Sequence, residues 1–162
     1  MKKSIDRYLA HLLACLMAII TLDVLWGVFT RYALGHQAGW TEELARYLLI
    51  WIGMLGAAYA SGQKMHLAID LLSPKLSPKA QAWLSVFTNL LIAIFALTAM
   101  VLGGLRLMFI THTLGQTSAA MRIPIALVYA AIPLSGLLVI FYKMNELRQT
   151  AKLPTANRLT AN

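Results

Sequence analysis

The basic residues of this chain are sorted by side, and that sorting constrains the fold more than any motif does. Four long apolar stretches alternate with polar connectors. Lys2, Lys3 and Arg7 precede the first stretch, and Lys64, Lys75 and Lys79 lie between the second and third. Lys143, Arg148, Lys152 and Arg158 follow the fourth. Only Arg31, Arg46, Arg106 and Arg122 belong to the other two connectors or to the helix ends beside them, so ten of the 14 Lys and Arg residues fall on one side. Basic residues are retained on the cytoplasmic face of a membrane. The pattern predicts an all-α membrane protein with four transmembrane helices and both N and C termini cytoplasmic.

Composition narrows the alternatives. With 59% apolar and 12% charged residues, an ordinary soluble domain is excluded. Four spans of about 20 residues each take up most of the 162 residues and leave no stretch for a separate soluble domain. The spans are expected at about 8–30, 42–62, 80–105 and 124–142, within a transmembrane domain covering 1–147. A short polar cytoplasmic tail, 148–162, follows. The net charge of +8 is better explained by attraction to anionic membrane lipids than by nucleic acid. Cys15 is the single cysteine, which leaves no disulfide within the chain; in its apolar run it is expected to be a small buried hydrophobe. Lys2, Lys3 and Arg7 before an apolar run imitate a signal peptide, but the run exceeds the ~7–15 residues of a signal core. It is expected to be a retained first span.

Local sequence sets further expectations. Ala10, Ala14 and Ala18, and likewise Gly53, Ala57 and Ser61, recur every fourth residue and offer smooth stripes for close helix contact. Thr41 is a candidate N-cap for the second span, with Glu42 and Glu43 in a first turn where the helix dipole favours anions. Trp40, Tyr47 and Tyr59 fall where interfacial aromatics are expected. Gly103 and Gly104 near the end of the third span permit close approach. Pro124 suits the first position of the fourth span, and Pro133 inside that span should bend it. The connector 63–79 mixes polar and apolar residues with Ser-Pro pairs; it suits a position along the membrane surface or over helix ends. No internal repeat is evident.

Asp23 is the one acidic residue well inside a span. An intramembrane carboxylate is costly and so carries a functional reading. At ~1.5 Å rise per residue it lies roughly 10 Å from the outer end of its helix. Three readings are open: pairing with Arg46 or Arg106 at a similar level, an ion-coupling or proton role, and snorkelling toward water. Glu42 and Arg46 are spaced for an i,i+4 pair, or for a contact with a partner helix bundle. His11, His36, His66 and His112 sit at ends or in connectors without metal-ligand spacing; no metal or other cofactor is expected in this chain. Among the motifs of catalysis there is no phosphate loop, nucleophile elbow or carboxylate pair, so no enzyme is expected.

Two stretches resemble a known family. The first is Trp40-Thr41-Glu42-Glu43-Leu44-Ala45-Arg46-Tyr47-Leu48, continued by Trp51, Gly56-Ala57-Ala58, His66 and Asp70-Leu71-Leu72. The second is Gly115-Gln116-Thr117-Ser118-Ala119-Ala120, then Ile123-Pro124 and Tyr129 to Pro133. Together they resemble the small four-helix membrane subunit of tripartite ATP-independent periplasmic (TRAP) transporters, across roughly residues 5–147. Where that family often has Asp before Glu, this chain has Glu42-Glu43, and the charge is kept.

The resemblance implies partners rather than turnover. A large multi-span TRAP membrane subunit would hold the substrate and sodium sites, and a periplasmic solute-binding protein would deliver an organic acid. The small subunit would brace the large one and help dock the binding protein in the bacterial inner membrane. On this reading Asp23, Trp40, Glu42, Glu43, Arg46, Trp51 and Arg106 are candidates for the large-subunit interface or a structural charge network. Arg31, His36, His112 and Arg122 are candidates for the periplasmic docking face. His66, Asp70, Gly115, Ser118, Pro124 and Pro133 match family-motif positions. No substrate site is expected in this chain. The competing readings are a self-contained four-span exporter, against which the charge asymmetry argues for the dual-orientation type, and a membrane anchor of a redox complex, which lacks a set of haem-ligating histidines.

Overall fold

A computed structural model of the chain describes residues 2–36, 38–63 and 78–152. It contains four helical spans, each long and apolar enough to cross a membrane. Helix α1 (Lys2–Ala33) and helix α2 (Gly39–Gly62) make the first two. The third is one continuous rod: α3 (Pro78–Phe95), a π-helical stretch (Ala96–Gly103) and α4 (Gly104–Thr113). The fourth is broken into α5 (Ile125–Tyr129) and α6 (Ala131–Lys152). Lys2, Gln63, Pro78 and Lys152 stand at one end of the bundle, called here the near end; the ends of α1 and α4 and the starts of α2 and α5 form the far end.

The fourth span is the centre of the bundle. Of its apolar window 44% is buried, against 11%, 11% and 17% for the first, second and third spans. Helix α2 packs between α1 and α6, while α3 and the π-helical stretch close on the opposite side of α6. One cluster joins Leu9, Leu55 and Tyr142; a second joins Ala58, Ala96 and Val139. The spans meet closely where side chains vanish. A Cβ added at Gly104 would lie 2.9 Å from Cδ of Pro133, and one at Gly136 would lie 2.8 Å from Cβ of Met100.

Pro133 acts three residues ahead of itself. Its ring crowds the carbonyl one turn back and it offers no N–H, and the helix is interrupted at Ala130, between α5 and α6. Pro133 is then the third residue of α6, inside the first turn where an N–H would have no helical partner. At the near end the Tyr142 hydroxyl donates to Asp6 at 2.6 Å, and the Lys2 ammonium lies 5.9 Å from the centroid of the same ring. Beside it Lys143 is fully buried and donates to Glu146 at 3.2 Å.

Several local expectations are corrected. Thr41 does not cap α2, which begins two residues earlier at Gly39; its hydroxyl instead donates back to the Ala38 carbonyl at 2.7 Å. The fourth span starts one residue after Pro124, whose ψ of 121° is not helical. Cys15 is exposed, not buried, because α1 packs along one face only. Ala14, Ala18, Gly53 and Ala57 also face outward; the close contacts of α2 are made by Ala58 and Gly62 instead.

Candidate functional site

The far end is organised around Glu43. The connector after α4 turns through Gly115, at φ 62° in the left-handed region that glycine tolerates. It then folds back on itself: the Ser118 amide donates to the Ile123 carbonyl at 2.9 Å, and the Ile125 amide to the Gln116 carbonyl at 3.0 Å. Within this loop the Ser118 hydroxyl donates to the Glu43 carboxylate. Three backbone amides join it: Ala119 donates to Oε1 at 3.0 Å, and Ala120 and Met121 to Oε2 at 3.0 and 3.1 Å. Successive amides turned inward form a nest that suits an anion, and bonds to an ionised acceptor are the stronger kind. The carboxylate of α2 thereby holds the last connector in one shape. Arg122 follows at φ 55° with its side chain exposed, a conformation that costs a non-glycine residue roughly 1–2 kcal/mol.

A second polar feature lies in the seam between α1 and α2. Gly35 at φ 75° turns the connector; Thr30 donates to the Gly27 carbonyl at 3.0 Å and accepts from the Ala38 amide at 3.5 Å. Below this corner is a pocket of 460 Å³ whose wall includes Asp23, Arg31, Thr41, Glu42 and Arg46. Asp23 is 5% exposed, and among the described residues neither of its carboxylate oxygens has a hydrogen-bond donor. The expected ion pair of Asp23 with Arg46 or Arg106 is therefore not formed. Asp23 is turned into the seam, while Arg46 stands on the exposed rim of the pocket and Arg106 is exposed on α4, which packs on α5. The i,i+4 pair of Glu42 with Arg46 is not formed either; both side chains are exposed, where such a pair gains little.

The other candidates scatter. Arg31, His36, His112 and Arg122 are all exposed at the far end. His112 borders an apolar groove of 690 Å³ between α4 and α5, lined by Leu105, Met108, Phe109 and Leu127 among others. Trp40 is exposed in the first turn of α2, whereas Trp51 packs against the cluster of Leu9, Leu55 and Tyr142. Pro124 pairs with Thr117 in an isolated bridge that closes the loop. His66 and Asp70 lie outside the described residues. Among the described residues no group of three or more His, Cys, Asp or Glu is placed to hold a metal ion. Sequence reasoning missed the Glu43 nest and the Tyr142–Asp6 bond; the only signal for either was a polar side chain near a helix end.

Three apolar spans around a central fourth define a multi-pass membrane protein. The chain belongs to the family described as tripartite ATP-independent periplasmic transporters, DctQ component, whose family model matches residues 17–153 and so spans both sides of the Glu43 nest. It is similar to the sialic acid TRAP transporter small permease protein SiaQ of Vibrio cholerae, 30% identical over 148 residues, covering 88% of this chain and 78% of that one. The C4-dicarboxylate TRAP transporter small permease protein DctQ of Rhodobacter capsulatus is 27% identical over 174 residues, covering 87% and 75%. The isethionate TRAP transporter permease protein DctMQ of Oleidesulfovibrio alaskensis is 31% identical over 129 residues, covering 75% of this chain and 20% of that longer one. The chain is a small permease subunit of a tripartite transporter and not an enzyme.

Proposed function

We propose that this subunit sits in the bacterial inner membrane with the near end cytoplasmic, braces a large TRAP permease subunit, and helps dock a periplasmic solute-binding protein at its far end. The complex takes up an organic acid driven by sodium, whose sites belong to the large subunit. The observation that carries this reading is the one-sided burial of the bundle. The fourth span is covered by the chain's own helices, while α1 and the third span leave long apolar faces open, including Leu22, Leu25, Phe29, Leu91, Phe95 and Leu102. Such faces suit lipid and a membrane partner. The far end supports a docking role because the Glu43 nest holds the last connector rigid and presents Arg122 outward. Sialate, C4-dicarboxylate and isethionate, named for the relatives, are all organic acids, which supports that solute class.

The test is co-purification followed by reconstitution. A tagged copy of this chain should bring down a large permease subunit from its native membrane. Vesicles holding both, given the binding protein and a sodium gradient, should accumulate the solute; vesicles holding this chain alone should accumulate none. Uptake by this chain alone would overturn the reading.

A further inference from the structure

We propose that Arg122 is the docking anchor of the far end and that it takes a surface carboxylate of the solute-binding protein. This contact presupposes the docking role of the far end and gives it a chemistry.

The far end carries one kind of cation. No lysine occurs between Lys3 and Lys64 or between Lys79 and Lys143, the two stretches that run to the far end and back. The basic residues there are Arg31, Arg46, Arg106 and Arg122. Only arginine offers a planar fork that takes a carboxylate through two parallel bonds, and protein interfaces are enriched in arginine and depleted in lysine. Three of these arginines lie within spans: Arg31 in Ser4–Ala33, Arg46 in Gly39–Gly62 and Arg106 in Trp83–Thr113. Arg122 falls between Thr113 and Ile125, outside the four spans.

Local structure fixes where that guanidinium is offered. Helical side chains lean toward the helix N-terminus, and α2 begins at the far end, so Glu43 reaches outward to clasp the loop. The loop stems from α4 and α5 and is held on α2, which lays it across the end of the chain's own bundle. A neighbour in the membrane meets the sides of that bundle, whereas a soluble partner meets its end. The exposed loop residues Thr117, Ala119 and Ala120 are small and uncharged, and Arg122 stands exposed among them. Among the described residues it forms no ion pair. Its φ of 55° is held from both sides, by the Met121 amide on Glu43 at 3.1 Å and by its own amide on the Ser118 carbonyl at 3.1 Å. A backbone already ordered spares part of the cost of association. Of the acids on this side Asp23 is buried and Glu43 is half-buried, which leaves Glu42 as the one exposed acid there among the described residues. The balance favours an acidic partner surface.

The test is binding of the cognate solute-binding protein to this chain purified together with its large subunit. Arg122→Asn removes the charge with a residue that tolerates the left-handed region. It should weaken binding about tenfold, the low end of what a hydrogen bond to a charged group commands. Gln116→Glu adds an acid to the same loop at constant shape and should weaken binding about twofold, as like charges ~10 Å apart in water would. Melting curves show whether each variant is folded; if Arg122→Asn unfolds, Gln116→Glu and a cross-link decide. The cross-link uses Arg122→Lys, which places the chain's one lysine amine at the far end. A water-soluble carbodiimide should join that amine to an Asp or Glu of the binding protein as an amide, the reagent leaving as its urea. A parent complex that does not bind the binding protein overturns the docking role and this proposal together. Parent binding that Arg122→Asn leaves unchanged overturns the proposal alone. So does an amide to a carboxylate of the large subunit, or an Arg122→Asn variant that loses bound phosphatidylglycerol and keeps its affinity for the binding protein.

Discussion

Gly62 lies against the face of Tyr142 so closely that a Cβ on the glycine would sit 2.8 Å from both Cε1 and Cζ of the ring. The ring cannot swing aside freely, because its hydroxyl is bonded to Asp6 at 2.6 Å and its body is buried. Gly62→Ala should therefore cost about 1–3 kcal/mol through overpacking. Tyr142→Phe, which keeps the ring and removes the bond, should cost about 1 kcal/mol. Melting temperatures of the two variants in one detergent check both. Gly62→Ala without a measurable shift would show that the near end repacks more easily than this contact implies.

Glu43→Gln should loosen the far end without unfolding the bundle. A neutral amide oxygen accepts from only part of the nest and its NH2 group faces donors, so the last connector should lose part of its anchorage. Hydrogen exchange should report it at the amides of Ala119, Ala120 and Met121, with little change in α6. Ser118→Ala removes one donor to the same carboxylate and should cost about 1 kcal/mol. The double change should cost less than the sum, because both variants break one network.

The neighbouring glycines of the third span should respond differently to the same substitution. A Cβ at Gly104 would meet Pro133 and Ile132 at 2.9 and 3.0 Å, whereas at Gly103 the nearest atom is the Thr98 carbonyl oxygen at 3.7 Å. Gly104→Ala should lose about 1–3 kcal/mol. Gly103→Ala should be neutral, or stabilising by up to ~1 kcal/mol through helix propensity. Paired melting curves decide the matter, and equal losses would refute the close approach of the third and fourth spans.

Topology follows from the side-sorting of Lys and Arg. Reporter fusions at Lys75 and at Gly115 should give opposite signals, the first cytoplasmic and the second periplasmic. Two cytoplasmic signals would contradict the four-span arrangement.

The four spans were legible because each is an apolar run long enough to cross a membrane, and the break in the fourth was legible because proline has a fixed chemistry. The facing of the helices was not. In a membrane span the lipid-facing side is as apolar as the packed side, so the periodicity that marks a buried face in a soluble helix is muted. That is why the spacing of Gly53 and Ala57 suggests a contact face although Ala58 and Gly62 make the contacts. The partner of a charge depends on the same hidden rotation, and Asp23 and Arg46 share a pocket without meeting. The Glu43 nest joins groups 76 to 78 residues apart through backbone amides, which no side-chain pattern announces.

The π-helical stretch Ala96–Gly103 gives the third span an unusual freedom of length. Its hydrogen bonds reach one residue further than those of an α-helix, so it holds a residue more than a regular helix would need to cover the same path. In an α-helix the loss of one residue turns everything beyond it by about 100°, and Gly104 would then no longer face Pro133. Loss of one residue inside Ala96–Gly103 instead lets the rod relax to ordinary α-geometry with its outer half still facing the fourth span. Single-residue gaps between homologous third spans should therefore collect in this window, and a chain shortened there by one residue should assemble where the same deletion in α4 fails.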